Sequence, residues 1–302
     1  MKGRPSNIPA SASARLLKLA KERGDDYQLV LLRYANERLL YHLAVSKHVD
    51  RFVLKGAALF TVWTGQPHRA TRDLDLLGFG SPGEQDLRAV FVEVLSSSDV
   101  DDGLVFETNA LTVGPIREDQ DYGGVRILVV ARLGSAKIPI QVDIGFGDAI
   151  TPAATEITFP TLLDFPAPRL RAYPRETVLA EKVEAMVKLG VANSRMKDFY
   201  DLMILARMFE FDGVLVSKAV EATFARRGTE LPSGTPVALT ATFHDDPSKR
   251  AQWGAFRRKS ATDGGELADA IEAVAAFVQP ILSAVAGGGP LNRSWPRGGP
   301  WT

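Results

Sequence analysis

Apolar positions recur along this chain in two distinct rhythms, and the switch between them sets the architecture. Over residues 11–48 the spacing is helical. Leu16, Leu17 and Ala20 mark one stripe, Gly24-Asp25 breaks it, and Leu29, Leu32, Ala35, Leu39 and Leu43 mark a second. Phe52-Val53-Leu54 then reads as a short strand, Ala57 to Thr64 as a helix, Leu74 to Leu77 as a strand and 84–97 as a helix. Segments 104–114, 124–133 and 137–146 alternate apolar with polar and are rich in Val and Ile, the period-two pattern of strands. Helical spacing returns at 175–189 and 195–209, with Pro174 at the start of the first helix and Gly190 at its end. The pattern predicts an α+β fold, with a sheet-bearing N-terminal half and a mainly helical C-terminal half. It divides into N-terminal helices over 1–50, a sheet core over 51–165 and a helical part over 166–286. Residues 287–302, rich in Gly and Pro with no periodic core pattern, are expected to form a loose tail.

Composition removes several chemistries. The chain of 302 residues contains no cysteine, which excludes disulfides, thiolate metal sites and a cysteine nucleophile. Lys plus Arg equals Asp plus Glu at 36 each, so any polyanion partner must be held by local patches rather than a global field. The four histidines are scattered without ligand spacing. No apolar h-region opens the chain and no run of about 18 uninterrupted apolar residues crosses it, so a cytoplasmic protein without a membrane partner is expected.

The candidate chemistry lies in two stretches, Lys55-Gly56-Ala57-Ala58 and Arg69-Ala70-Thr71-Arg72-Asp73-Leu74-Asp75-Leu76. On a strand, residues two apart share a face, so Thr71, Asp73 and Asp75 are expected to point together while Leu74 and Leu76 enter the core. Two neighbouring carboxylates repel each other, and a divalent cation between them relieves that repulsion. The Lys-Gly turn ahead of a helix offers backbone N–H groups to phosphates, and Arg72 joins Lys55 and Gly56 as a candidate nucleotide contact. For a lone Asp-x-Asp, a solvated strand edge remains the competing reading. A third carboxylate, Asp143 in Gln141-Val142-Asp143-Ile144, would complete a three-carboxylate site if its strand pairs beside that of Asp73. Lys182 has Val178, Ala185 and Leu189 near its helix face, and a Lys182→Met replacement is expected to spare packing. Asp198 and Asp201, three apart on the next helix, share a face. Thr71, two residues before Asp73, is a candidate regulatory modification, because added phosphate there would compete for a metal.

The runs VLKGAALF, RATRDLDLL, QVDIGFGD, RETVLAEKVEAM and RMKDFYDL, in that order over roughly residues 50–210, resemble the AbiEii/AbiGii nucleotidyltransferase toxins, a family that includes the MenT-type toxins of mycobacteria. The resemblance implies a DNA polymerase β-like nucleotidyltransferase core with a mixed sheet. It implies Asp73 and Asp75 as catalytic metal ligands, Lys182 as the nucleotide-contacting lysine, and Asp198 or Asp201 as a late essential aspartate. Lys55-Gly56 stands where the superfamily usually has Gly-Ser, so a serine hydroxyl is missing from the phosphate turn. Mg²⁺ or Mn²⁺, an NTP substrate, a tRNA or other RNA acceptor, and a separate antitoxin protein follow from the same resemblance. Between Lys249 and Lys259, five basic residues interleave with Trp253 and Phe256, a composition suited to RNA phosphates and bases. A small-molecule or protein-hydroxyl acceptor, and an inactive nucleotide-binding module, stay open as alternatives.

Overall fold

The computed structural model describes residues 7–98, 100–116, 124–260 and 262–302. The chain forms two compact units, one of residues 1–147 with 155–172, the other of residues 148–154 with 173–302. The division thus falls near residue 172, with a short excursion at 148–154 that the sequence pattern did not signal.

The first unit begins with α1 (Ile8–Arg23) and α2 (Tyr27–Val45), capped by the side chains of Asn7 and Asp26. It continues through β1 (Phe52–Lys55), α3 (Ala58–Thr64), β2 (Asp73–Gly78) and α4 (Glu84–Leu95). Strands β3 (Leu104–Phe106), β4 (Thr112–Pro115), β5 (Val125–Leu133), β6 (Ala136–Phe146), β7 (Thr155–Thr158) and β8 (Arg169–Ala172) complete it. The stretch expected as one strand over 104–114 is split into β3 and β4 by a 3₁₀ turn at Thr108–Ala110. The sheet is mixed, in the order β3-β5-β6-β2-β1-β8-β7, with β4 also paired to β5. Strand β2 runs parallel to β6 and antiparallel to β1.

One sheet face is apolar. Leu74, Leu76, Ile140, Val142, Ile144, Ile127 and Val129 are all at most 2% exposed. Helix α2 packs against β6 and β8, and α1 against α2 and β5, so Leu16, Leu39, Leu40 and Leu43 are buried. Removing this surface from water is the main stabilising term, about 25 cal/mol per Å² of apolar area. Helix α2 also carries a buried polar group that clamps the 159–168 connection. Arg38 donates to Asp102 at 2.7 Å and to the Pro166 carbonyl at 2.8 Å, while Glu37 accepts from the Leu162 N–H at 2.7 Å. Burial pushes the Glu37 carboxyl up to about 7, against the opposing pull of the Leu162 N–H and Arg38.

The second unit contains α5 (Arg175–Leu189), α6 (Met196–Met208), β9 (Phe211–Asp212), α7 (Gly213–Arg227), α8 (Ala241–His244), α9 (Pro247–Ser260), α10 (Leu267–Ala286) and β10 (Ser294–Trp295). Helix α10 has 20 residues and is apolar enough to cross a membrane by length and composition. Here it packs against α6 and α7, with Ile271, Val274, Phe277 and Ile281 at most 1% exposed.

The expected loose tail is instead docked. Strand β10 pairs antiparallel with β9, Trp295 donates its indole N–H to the Ala206 carbonyl at 2.7 Å, and Trp301 donates to the Phe277 carbonyl at 2.8 Å. Two tryptophans at non-periodic positions escape a pattern search, yet their rings close over Phe277 and are almost fully buried.

Candidate active site

The carboxylate pair sits where strand geometry requires. Asp73 and Asp75 alternate with buried Leu74 and Leu76, so both acids lie on the opposite, half-exposed face of β2. Register then assembles a row of charges across four neighbouring strands. Lys55 on β1 lies opposite Asp75, Asp75 opposite Asp143 on β6, and Asp143 opposite Arg126 on β5. Asp73 lies opposite Gln141. The pairing that would bring Asp143 beside the acid pair is therefore present, through the parallel β2–β6 contact.

The turn after β1 explains its own sequence. Gly56 has φ +74°, a left-handed conformation, and a Cβ built on it would stand 2.0 Å from Oδ2 of Asp75. Both the backbone angle and the lack of a side chain are needed, because the Asp75 carboxylate occupies the space a Cβ would fill. Main chain is thus held directly against one acid, and α3 follows with only seven residues.

Asp143 is oriented the other way. Arg126 donates Nε to Oδ1 and Nη2 to Oδ2, each at 2.8 Å, and the Gln141 amide reaches the same oxygens at 3.3 and 3.1 Å. Asp75 leans toward the Gly56 turn and Asp143 toward β5, as two adjacent like charges should. Among the described residues, no group of three or more acids or histidines converges in metal-binding geometry. All-carboxylate oxygens nonetheless fit a hard divalent cation such as Mg²⁺ or Mn²⁺.

Thr71 precedes β2 and does not lie on it, so the expectation that it shares the strand face with Asp73 and Asp75 is corrected. Its hydroxyl points toward the Asp73 carbonyl, 3.5 Å away. Arg72 is exposed beside the strand end.

In the second unit, Lys182 and the two later aspartates form one ionic group. The Lys182 ammonium donates to Asp198 at 2.8 Å and to Asp201 at 2.7 Å, and Arg195 lies 2.7 Å from Asp198. Lys182 is 12% exposed, Asp198 2% and Asp201 0%. Burial pushes the Asp198 carboxyl up, but Lys182 and Arg195 outweigh it and hold the group below its ordinary value. Lys182 is therefore a counter-ion as well as a candidate nucleotide contact, so a methionine there would remove a charge that two buried carboxylates use.

A second group was missed by sequence reasoning. Arg227 lies 3.0 Å from Asp148, 3.2 Å from Glu181 and 2.8 Å from Glu184. Burial lowers its basicity, but Glu181 and Asp148 outweigh that and raise it. Nothing in the spacing of these residues announces the contact, since Arg227 and Asp148 are 79 positions apart.

The basic stretch on α9 is also more structural than expected. Trp253 is buried and donates to the Gly265 carbonyl, so it is a core residue and not a stacking platform. Lys249 is buried, donates to the Asn193 carbonyl at 2.9 Å and sits 5.0 Å from the Phe243 ring centre. Arg258 and Lys259 remain exposed.

A family model described as nucleotidyl transferase AbiEii toxin, type IV toxin–antitoxin system, matches residues 38–278, which takes in the β1 turn, all three strand acids, Lys182 and its partners. The chain belongs to this family. It is a nucleotidyltransferase toxin of the type IV toxin–antitoxin class. Among solved structures, MenT4, a nucleotidyltransferase toxin of Mycobacterium tuberculosis H37Rv, is similar at 19% identity with a TM-score of 0.56, covering 93% of this chain and 94% of that one. A Helicobacter pylori protein matches at 15% identity and a TM-score of 0.48, covering 85% of this chain and 97% of that one. No curated protein matches by sequence. The MenT4 likeness bears out the mixed sheet and helical C-terminal half as a nucleotidyltransferase-toxin fold.

Proposed function

We propose that this toxin transfers nucleoside monophosphate from an NTP to the 3′ end of tRNA, blocking its aminoacylation, in a reaction that depends on Mg²⁺ or Mn²⁺. The observation that carries this reading is the acid pair Asp73 and Asp75 on one face of β2, with the Lys55-Gly56 turn pressed against Asp75. A divalent cation held there would neutralise triphosphate oxygens and favour displacement at the α-phosphorus. Asp73 and Asp75 supply hard oxygen donors, and Asp143 stands next in the row. Gly56 keeps main chain rather than a side chain beside Asp75, so the backbone of the turn lies against the acid. Lys182 is the candidate nucleotide contact of the second unit, and Asp198 and Asp201 act through it by fixing its ammonium. Exposed Arg258 and Lys259 are available to RNA phosphate. The toxin works in the cytoplasm, where NTP and tRNA are found, and a cognate antitoxin restrains it.

The test is incubation of the purified chain with each labelled NTP, total tRNA and Mg²⁺, followed by a denaturing gel. Label should enter tRNA with the wild type and not with Asp73→Asn or Asp75→Asn, both of which should melt no lower than wild type. Labelling that survives both substitutions refutes the metal site. Label that enters protein or a small molecule but not tRNA refutes the acceptor.

A further inference from the structure

The charge row across the sheet contains one residue with no assigned role. Arg126 grips Asp143 with two parallel hydrogen bonds of 2.8 Å, the strongest common geometry for a carboxylate. Its strand neighbours are committed to other work. Ile127 and Val125 enter the core, and Gly114 lies opposite Arg126 on β4. Asp143 is 16% exposed and Arg126 35%. The grip spends both carboxylate oxygens, and Gln141 adds a third donor to them. A carboxylate so engaged must exchange hydrogen bonds for coordination before it can ligate a cation shared with Asp75.

Resting on the reading of Asp73 and Asp75 as a metal site, we propose that Arg126 is a positioning residue that clasps Asp143 away from Asp75 and thereby sets how tightly the acid row takes up a divalent cation. The clasp serves a purpose that plain acid crowding cannot. Asp143 and Asp75 are directly opposed in register, and two adjacent carboxylates repel. Arg126 offsets the charge of Asp143. Competition between one guanidinium and the cation then makes full coordination conditional, so that Asp143 joins only when the row is occupied.

The experiment titrates Mn²⁺ into the purified chain and reads free Mn²⁺ by electron paramagnetic resonance, with no nucleotide present. Arg126→Met should bind Mn²⁺ about tenfold more tightly than wild type, the equivalent of losing one charge-assisted clasp. Arg126→Lys, which keeps the charge but not the two-pronged geometry, should show part of that gain and guards against a fold defect in the methionine variant. In the double variant Arg126→Met with Asp143→Asn the gain should vanish. Unchanged or weaker binding in both Arg126 variants overturns the clasp. A gain that persists without Asp143 also overturns it, since a general change of field and not the clasp would be responsible. If wild-type binding survives Asp73→Asn and Asp75→Asn, the metal-site reading itself falls, an outcome distinct from a failed clasp because it appears with Arg126 intact.

Discussion

Replacing Lys182 with methionine separates its two roles. Its ammonium lies 2.8 and 2.7 Å from two carboxylates that are 2% and 0% exposed. Methionine fills most of the same volume, so the lost packing is small. The lost charge is not, because removing one partner of a buried ion pair costs about 3–5 kcal/mol. Arg195 still neutralises Asp198 at 2.7 Å, which places the expected loss at the lower end, about 3 kcal/mol. The sign with pH follows. In the wild type, the lowered Asp198 group gives stability that is present above the ordinary carboxylate range and lost as pH falls through its depressed value. In Lys182→Met the Asp198 carboxylate loses the larger of its two lowering charges, so it should take up a proton at higher pH and the deficit should shrink as pH falls. Urea denaturation followed by far-ultraviolet circular dichroism at pH 7.5 and pH 5 measures both effects. Adding Asp201→Asn should restore most of the stability, leaving a folded chain that lacks the lysine. If that double variant transfers nucleotide normally, Lys182 is only a counter-ion. If Lys182→Met alone melts like wild type at pH 7.5, the buried ionic group is not what stabilises α5 on α6, and the reasoning fails.

Three further outcomes are expected. Gly56→Ala should cost about 1–2 kcal/mol for the left-handed backbone and displace the Asp75 carboxylate, lowering kcat/KM about a hundredfold; activity within threefold of wild type would contradict the close approach. Glu37 carries a proton in the folded state up to about pH 7, against 4.5 unfolded, so stability should fall as pH rises through that window, by up to about 3 kcal/mol. Glu37→Gln keeps the acceptor for the Leu162 N–H and should flatten that slope, and an unchanged slope in melting temperature against pH would refute the assignment. Trp301→Ala should cost about 3 kcal/mol or more by uncovering Phe277, and a loss below 1 kcal/mol in urea denaturation would show the C-terminal segment to be dispensable.

The sequence by itself determined what depends on local periodicity and on short spacing. Alternation around Leu74 and Leu76 fixed the shared face of Asp73 and Asp75, because a pleated strand has no other way to bury leucines. Helical spacing fixed α2, α5 and α6, and the ordered set of motifs carried the family. Tertiary structure alone decided which distant groups meet. Strand register, set by whole-sheet packing, put Asp143 against Asp75 and then gave its oxygens to Arg126. The 3₁₀ turn at Thr108–Ala110 broke a stretch that alternation marked as one strand, and β2 begins only at Asp73, leaving Thr71 off the strand. The ionic groups around Lys182 and Arg227, and the docking of Trp295 and Trp301, depend on contacts between elements far apart in sequence. Such contacts are paid for by burial of surface that no local pattern encodes, so the two buried carboxylates that Lys182 serves, and a tail that read as loose but became part of a core, are visible only in the fold.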